Sequence, residues 1–232
     1  MKFSVCIPTY EMKGKGVSFL DFSLSQLKKQ TLQDFEVVVS DHSHDDAIKT
    51  LWEEEDSLNI NYIRNTYKRG LSSANTNVAM KGAQGDIIKI LFQDDYLCDP
   101  QGLEIIYNNF DDSVQWLVNG CVHTKDNTTF YNPIVPRYHP AIYLGENTIS
   151  SPSVLSVRNK DILDFDESLL WLMDVEYYKR LYDKHGLPRI VDSPLVVNTM
   201  WDGQVSNTLA NQQVRDEEKS YVVKKYEHLC DR

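Results

Sequence analysis

The stretch ILFQDDYL, Ile90–Leu97, decides how this chain is read. Three apolar residues that look like the end of a buried strand run into Gln93, then the adjacent carboxylates Asp94 and Asp95, then an aromatic. Adjacent like charges repel, and each is costly to bury without a counter-charge. A strand that stops on such a pair points to a hard divalent cation, Mn2+ or Mg2+. One or two carboxylates would hold it and substrate phosphate oxygens would complete its shell. The plainer reading makes the pair solvated turn residues before Cys98-Asp99-Pro100, with Asp95 capping the next segment.

Upstream of this stretch two periodicities alternate. Short apolar runs at Phe3–Ile7, Phe35–Val39, Ile60–Ile63 and Asp86–Phe92 read as strands of the buried parallel kind. Between them, Leu20, Leu24 and Leu27 recur at helical spacing after Ser18, with Asp21 as a variant of the capping box. Asp46–Glu55 and Ala74–Ala83 supply two further helices. Strand and helix repeated in this order predict an open, mainly parallel, Rossmann-like sheet of right-handed crossovers, an α/β fold flanked by helices. Ligands of such sheets sit beyond the carboxyl ends of the strands. Three polar clusters fall there: Pro8-Thr9-Tyr10-Glu11, Ser40-Asp41-His42-Ser43 and Gln93-Asp94-Asp95. They should converge on one cleft.

Downstream the rhythm changes. Leu103, Ile106 and Tyr107 predict a helix, Trp116–Val122 a strand, Ser153–Val157 a strand, Leu170–Tyr182 a helix and Ile190–Val197 a strand. Thr128–Gly145 carries three prolines and four aromatics with little periodicity, which suggests a binding loop or lid. From Asn211 the chain is highly charged, with Val222, Tyr226 and Leu229 on one helical face. That tail is available to dock on its own domain or on a second subunit as a homodimer.

The 232 residues, 41% of them hydrophobic, suffice for one substantial core. With 24 basic and 34 acidic side chains the formal charge is -10, which argues against nucleic acid or an anionic membrane as a partner reached by bulk electrostatics. An anionic small ligand would need a local device: a bridging cation, placed Lys or Arg residues, or a helix N-terminus. The four cysteines form no framework; Cys6 and Cys121 sit in apolar runs and read as core residues, and a reducing cytoplasm fits best. Met1–Glu11 leads directly into structure rather than into a signal peptide, and no window is long and apolar enough to span a membrane.

Two further groups admit two readings each. His42 and His44 could ligate a transition metal, yet an i, i+2 pair needs a third partner and none is evident; a polar loop, with Asp41 accepting a hydrogen bond from a ligand, fits better. Asp174 falls in the first turn of a helix, where a carboxylate either complements the helix dipole or faces the cleft as a general base.

Four segments stand in a telling order: SVCIPTYE, FEVVVSDHSHDD, GLSSANTNVAMKGAQGDIIKILFQDDYL and FDESLLWLMDVEYYKRL. Together they resemble the family 2 glycosyltransferases of the GT-A fold over about residues 1–200. The resemblance implies one GT-A domain over 1–210, with a nucleotide-sugar half to about residue 100, an acceptor half beyond it, and a charged helical tail at 211–232. It implies inverting transfer of a sugar from a nucleotide diphosphate sugar, UDP by default, to a hydroxyl of a glycan or other acceptor. Pro8, Thr9, Tyr10, Glu11, Asp41 and Arg69 would then hold the nucleotide, with Arg64 and Lys68 on the same connection. Asp94 and Asp95 would address the diphosphate through the cation, Asp95 as its direct ligand, and Asp174 would be the catalytic base.

The chain departs from the family pattern at His42, where a second acidic residue is usual, at Phe92 in place of the first Asp of a DxD element, and at Met173 before the base. WDGQVSN, Trp201–Asn207, lacks the His often carried there; Asp202 could supply an oxygen instead, or simply form a turn. Two rivals remain open. A nucleotidyltransferase would use the MKGKG stretch, Met12–Gly16, as a phosphate loop, and a nucleotide- or carbohydrate-binding module would lack turnover.

Overall fold

The computed structural model describes residues 1–230. Nine strands form one curled sheet among the described residues. β1 (Phe3–Thr9), β2 (Phe35–Asp41), β3 (Ile60–Arg64) and β4 (Ile87–Ile90) are mutually parallel in the order β3-β2-β1-β4. Every residue of β1, β2 and β4 is buried, which is why their sequences run apolar rather than alternating. Three helices make the crossovers: α1 (Gly16–Leu27), α2 (Ala47–Glu53) and α3 (Ser72–Lys81). The first half is therefore the parallel α/β unit that the periodicity predicts.

The second half continues the same sheet with mixed strand directions. β8 (Leu155–Arg158) runs antiparallel to β4, β6 (Trp116–Thr124) antiparallel to β8, and β9 (Arg189–Thr199) parallel to β6. The two-residue β5 (Tyr96–Leu97) pairs with β9 at the far edge. Although β4 and β5 are joined by one short turn, β8, β6 and β9 separate them in the strand order, with β4 central and β5 at the edge. The sheet curls enough that β5 packs on α1, with Tyr96 edge-on to Phe22 at 4.9 Å. The stretch Leu91–Asp95 thus bridges two distant parts of one sheet.

Several local expectations change. α1 starts at Gly16 rather than after Ser18: the Ser18 hydroxyl donates to the Lys15 carbonyl, and no capping box forms. Glycine is required at Gly16 because a Cβ there would meet the Tyr10 carbonyl oxygen at 2.3 Å. Thr128–Gly145 is not wholly irregular. It holds β7 (Phe130–Ile134), an edge strand on β6 that tolerates Pro133, and a 3-10 turn at Ile142–Leu144.

Helix α4 (Gly102–Asn108) follows β5, and α5 starts at Met173 and runs to His185, three residues later than the apolar spacing suggests. After a short turn, α6 (Val205–Thr208), the tail forms α7 (Gln212–Cys230). It docks on its own domain. Val222 and Tyr226 are buried, Lys225 pairs with Asp166 and Glu176, and Tyr226 donates to Glu176 at 2.9 Å. The apolar face offered to a second subunit is occupied within the chain; Leu229 lies outside the described side chains. No helix of the described residues is long and apolar enough to cross a membrane.

Candidate active site

The chain leaves β4 by a tight turn in which the Asp95 amide donates to the Phe92 carbonyl at 2.9 Å. Gln93 is buried and acts as a staple: its Oε1 accepts from the Tyr10 amide and its Nε2 donates to the Gly16 carbonyl. The loop after β1 is thereby tied to the end of β4. Asp94 and Asp95 emerge from this turn into a cavity of about 560 Å³.

The two acids are not equivalent. Asp95 is 4% exposed; its Oδ2 accepts from Ser153 at 2.5 Å and Ser151 at 3.3 Å, and its Oδ1 from the Thr199 amide at 3.1 Å. Asp94 is less buried and takes one side-chain hydrogen bond, from Trp201 Nε1 at 2.9 Å. Burial raises the pKa of both, and for Asp95 the neighbouring Asp94 charge adds to it. That repulsion is what a cation would relieve. Asp94 has more acceptor capacity to spare than Asp95, which accepts three hydrogen bonds.

No group of three His, Cys, Asp or Glu side chains that could hold a metal is found among the described residues. Two adjacent carboxylates on one cavity nevertheless suit a hard cation, since Mg2+ and related ions take one or two carboxylates and draw the remaining oxygens from phosphate and water. His42 and His44 do not make such a site. The buried His42 accepts from the Gly70 amide at Nδ1 and donates from Nε2 to the Tyr67 carbonyl, and burial and the Arg69 charge lower its pKa. His44 pairs with Glu11 at 2.8 Å.

Asp174 lines the same cavity from the first turn of α5. Its Oδ2 accepts from Asn147 at 2.7 Å and its Oδ1 from the Val175 amide at 2.7 Å. Burial pushes its pKa up to about 7. The loop that delivers it is clamped from α7: the buried Glu218 accepts from the amides of Leu170, Trp171 and Leu172 at 2.7 to 3.2 Å. A carboxylate on successive amides ahead of a helix is favoured by the helix dipole as well as by the hydrogen bonds.

The expected nucleotide residues divide. Pro8, Tyr10, Glu11 and Arg69 line the cavity, while Thr9 and Asp41 do not. Strand alternation explains Thr9, which points away from the face that Pro8 and Tyr10 share. Asp41 is fully buried and spent on the scaffold: it accepts from Tyr62 at 2.7 Å and the Ser43 amide at 2.8 Å, and lies 3.3 Å from Arg64. Arg64 is thereby tied to the β2 end, and Lys68 pairs with Glu167 at 2.9 Å.

The acids after β8 are structural too. Asp166 is held to a pKa of about 2, though burial opposes it, by Lys225, the Ser168 amide and Tyr221. Asp202 is exposed and does not line the cavity. Lys13 and Lys15 of MKGKG do not line it either; Lys15 lies over the Trp201 ring at 5.4 Å. No residue of 128–145 reaches it, and the segment that does is Asn147–Pro152. Sequence reading missed His123, Asn147, Ser151 and Asn198, whose types are unremarkable without the pairing of β6 with β9 and of β5 with β9.

Comparison with known proteins bears on the fold and the family. Staphylococcus aureus TarS 1–349 in complex with UDP-GlcNAc superposes with a TM-score of 0.73 at 20% identity, over 96% of this chain and 66% of that one. A longer S. aureus TarS structure gives 0.66 at 22% identity, over 97% of this chain and 43% of that one, so this chain spans less than half of that molecule. The Pyrobaculum calidifontis mannosyltransferase PcManGT, in complex with GDP-Man and Mn2+, gives 0.59 at 20% identity, over 85% of this chain and 56% of that one. No protein of curated function matches the sequence significantly. The family model described as glycosyl transferase family 2 matches residues 4–165, more than half of the chain. The fold is GT-A, and the chain belongs to glycosyl transferase family 2.

Proposed function

We propose that this domain transfers a sugar from a nucleotide diphosphate sugar to an acceptor hydroxyl by a single inverting displacement. The observation that carries this reading is that Asp94, Asp95 and Asp174 line one cavity, with Asp174 raised to a pKa of about 7. The attacking hydroxyl must lose a proton as it bonds to the anomeric carbon, and a carboxylate whose pKa lies near the operating pH suits a general base. Asn147 holds one Asp174 oxygen and the Val175 amide the other, which fixes the carboxylate's orientation. With base and leaving group on opposite faces of the sugar, inversion follows and no covalent intermediate is needed.

At the other end, Asp94 is proposed as the direct ligand of Mn2+ or Mg2+ and Asp95 as its companion. The cation, when bound, neutralises charge that develops on the departing diphosphate. Pro8, Tyr10, Glu11 and Arg69 would hold the nucleoside and its phosphates. UDP is the donor nucleotide to try first, since TarS 1–349 binds UDP-GlcNAc; the GDP-Man and Mn2+ of PcManGT make GDP the second and support Mn2+ as the first cation to test.

A melting-temperature screen with UDP, GDP, dTDP and CDP, each with Mn2+ or EDTA, tests the reading, because a ligand of the native state raises the melting temperature. One nucleotide with a cation-dependent shift is expected, followed by turnover of its sugar derivative. No shift with any nucleotide would overturn it, and binding without turnover would favour a binding module.

A further inference from the structure

Lys89 lies at the centre of β4 and is fully buried, the one lysine so placed among the described residues. An ammonium is expensive to bury, and the flanking isoleucines show what an ordinary core strand would carry there. Its Nζ donates to Asn119 Oδ1 at 3.1 Å and to the Ser153 carbonyl, neither of them a carboxylate. Asn119 is fixed in turn by its own bond to the Gly120 carbonyl at 2.8 Å. Ser153 is also the residue whose hydroxyl donates to Asp95 at 2.5 Å and accepts from the Phe92 amide at 2.9 Å. One serine therefore joins the buried ammonium to both ends of the acid turn. Burial lowers the Lys89 pKa to about 7, against the opposing influence of Asp95.

We propose that Lys89 is a positioning residue that serves as a built-in counter-charge for the diphosphate end of the cavity, so that nucleotide diphosphates bind in part without a divalent cation. This rests on the proposed role of the Asp94–Asp95 turn in addressing the diphosphate. The turn has Phe92 where a third carboxylate could stand, so it offers a cation fewer ligands. In its ammonium form, which prevails below about pH 7, Lys89 beneath the turn favours the anionic diphosphate and opposes the cation, so the titrations are made at about pH 6. A neutral residue at position 89 would do the reverse, weakening bare nucleotide and strengthening the cation's contribution.

The test is calorimetric titration of the wild type, Lys89→Met and Lys89→Gln with UDP and with GDP, each in Mn2+ and in EDTA, alongside melting curves. Gln keeps N–H donors without the charge, and reads the effect if Met perturbs the strand. The expected result is a rise of about tenfold in the ratio of Kd in EDTA to Kd in Mn2+ for both variants, with the melting temperature of Lys89→Met unchanged or higher. An unchanged ratio in both variants, or an equal loss in both media, overturns the proposal and leaves Lys89 a packing residue. A wild type that binds neither nucleotide overturns the functional reading and this inference with it.

Discussion

Asp41 and Asp94 stand at the carboxyl ends of two parallel strands, β2 and β4, that flank β1 in the same sheet, yet they live in opposite circumstances. Asp41, at the end of β2, is fully buried with its oxygens committed to Tyr62, the Ser43 amide and Arg64. Asp94, just past β4, faces a cavity with one side-chain partner, beside a second carboxylate and with its pKa raised. The difference teaches that a strand-end position does not make an acid functional. What matters is how much of its hydrogen-bonding capacity the protein has left unspent. By that measure the end of β2 spends Asp41 on holding its loops, while Asp94, Asp95 and Asp174 gather on one cavity.

The sharpest way to break this contrast is Asp174→Asn. Loss of the base should lower transfer by about 10³-fold, within the range for general base catalysis, while nucleotide affinity stays within about twofold. In the wild type the rate should rise through a limb near pH 7, where Asp174 loses its proton, and Asn should abolish that limb. The stability sign is opposite. A carboxyl whose folded pKa is raised binds an extra proton in the native state, so its contribution to stability falls as pH rises from about 4 to 7. Asp174→Asn should therefore melt higher than the wild type at pH 8, with the gain shrinking toward pH 4. Near-normal turnover in the Asn variant would remove the base assignment.

Next in size is Asp94→Ala, which should weaken Mn2+-dependent nucleotide binding by about 100-fold in calorimetry, at little cost in melting temperature. If Asp95→Ala shows that loss and Asp94→Ala does not, the two acids exchange roles. Asp41→Asn should do the reverse of Asp94→Ala. Disturbing a fully engaged buried carboxylate should cost about 2 kcal/mol in denaturant unfolding and leave cation dependence unchanged. Lost nucleotide binding with intact stability would return Asp41 to the binding surface. The smallest effect is expected at the exposed Arg69, where Arg69→Ala should raise the nucleotide Kd about fivefold, and less at high salt.

Much of this was legible in the sequence. β1, β2 and β4 are buried throughout, so their apolar runs and polar ends stand out, and Asp94, Asp95 and Asp174 meet in one cavity as the segment order implies. Side-chain alternation hid the sorting of Pro8 and Tyr10 from Thr9. Two residues of β5 carry no periodicity, and their place is set by Val196 and Val197, about a hundred positions away. Lys89 was the missed signal: a lysine inside DIIKILF contradicts a strand buried on both faces, and that conflict marked the residue.

The amide that seats Asp95 belongs to Thr199, at the end of β9. The acid turn is therefore contiguous in sequence but completed by a contact more than a hundred residues downstream. During synthesis the parallel half can form as its residues appear, whereas the seat for Asp95 must wait until β9 has left the ribosome. A fragment ending near residue 100 would carry every strand-end signature of the first half and still lack a finished acid turn.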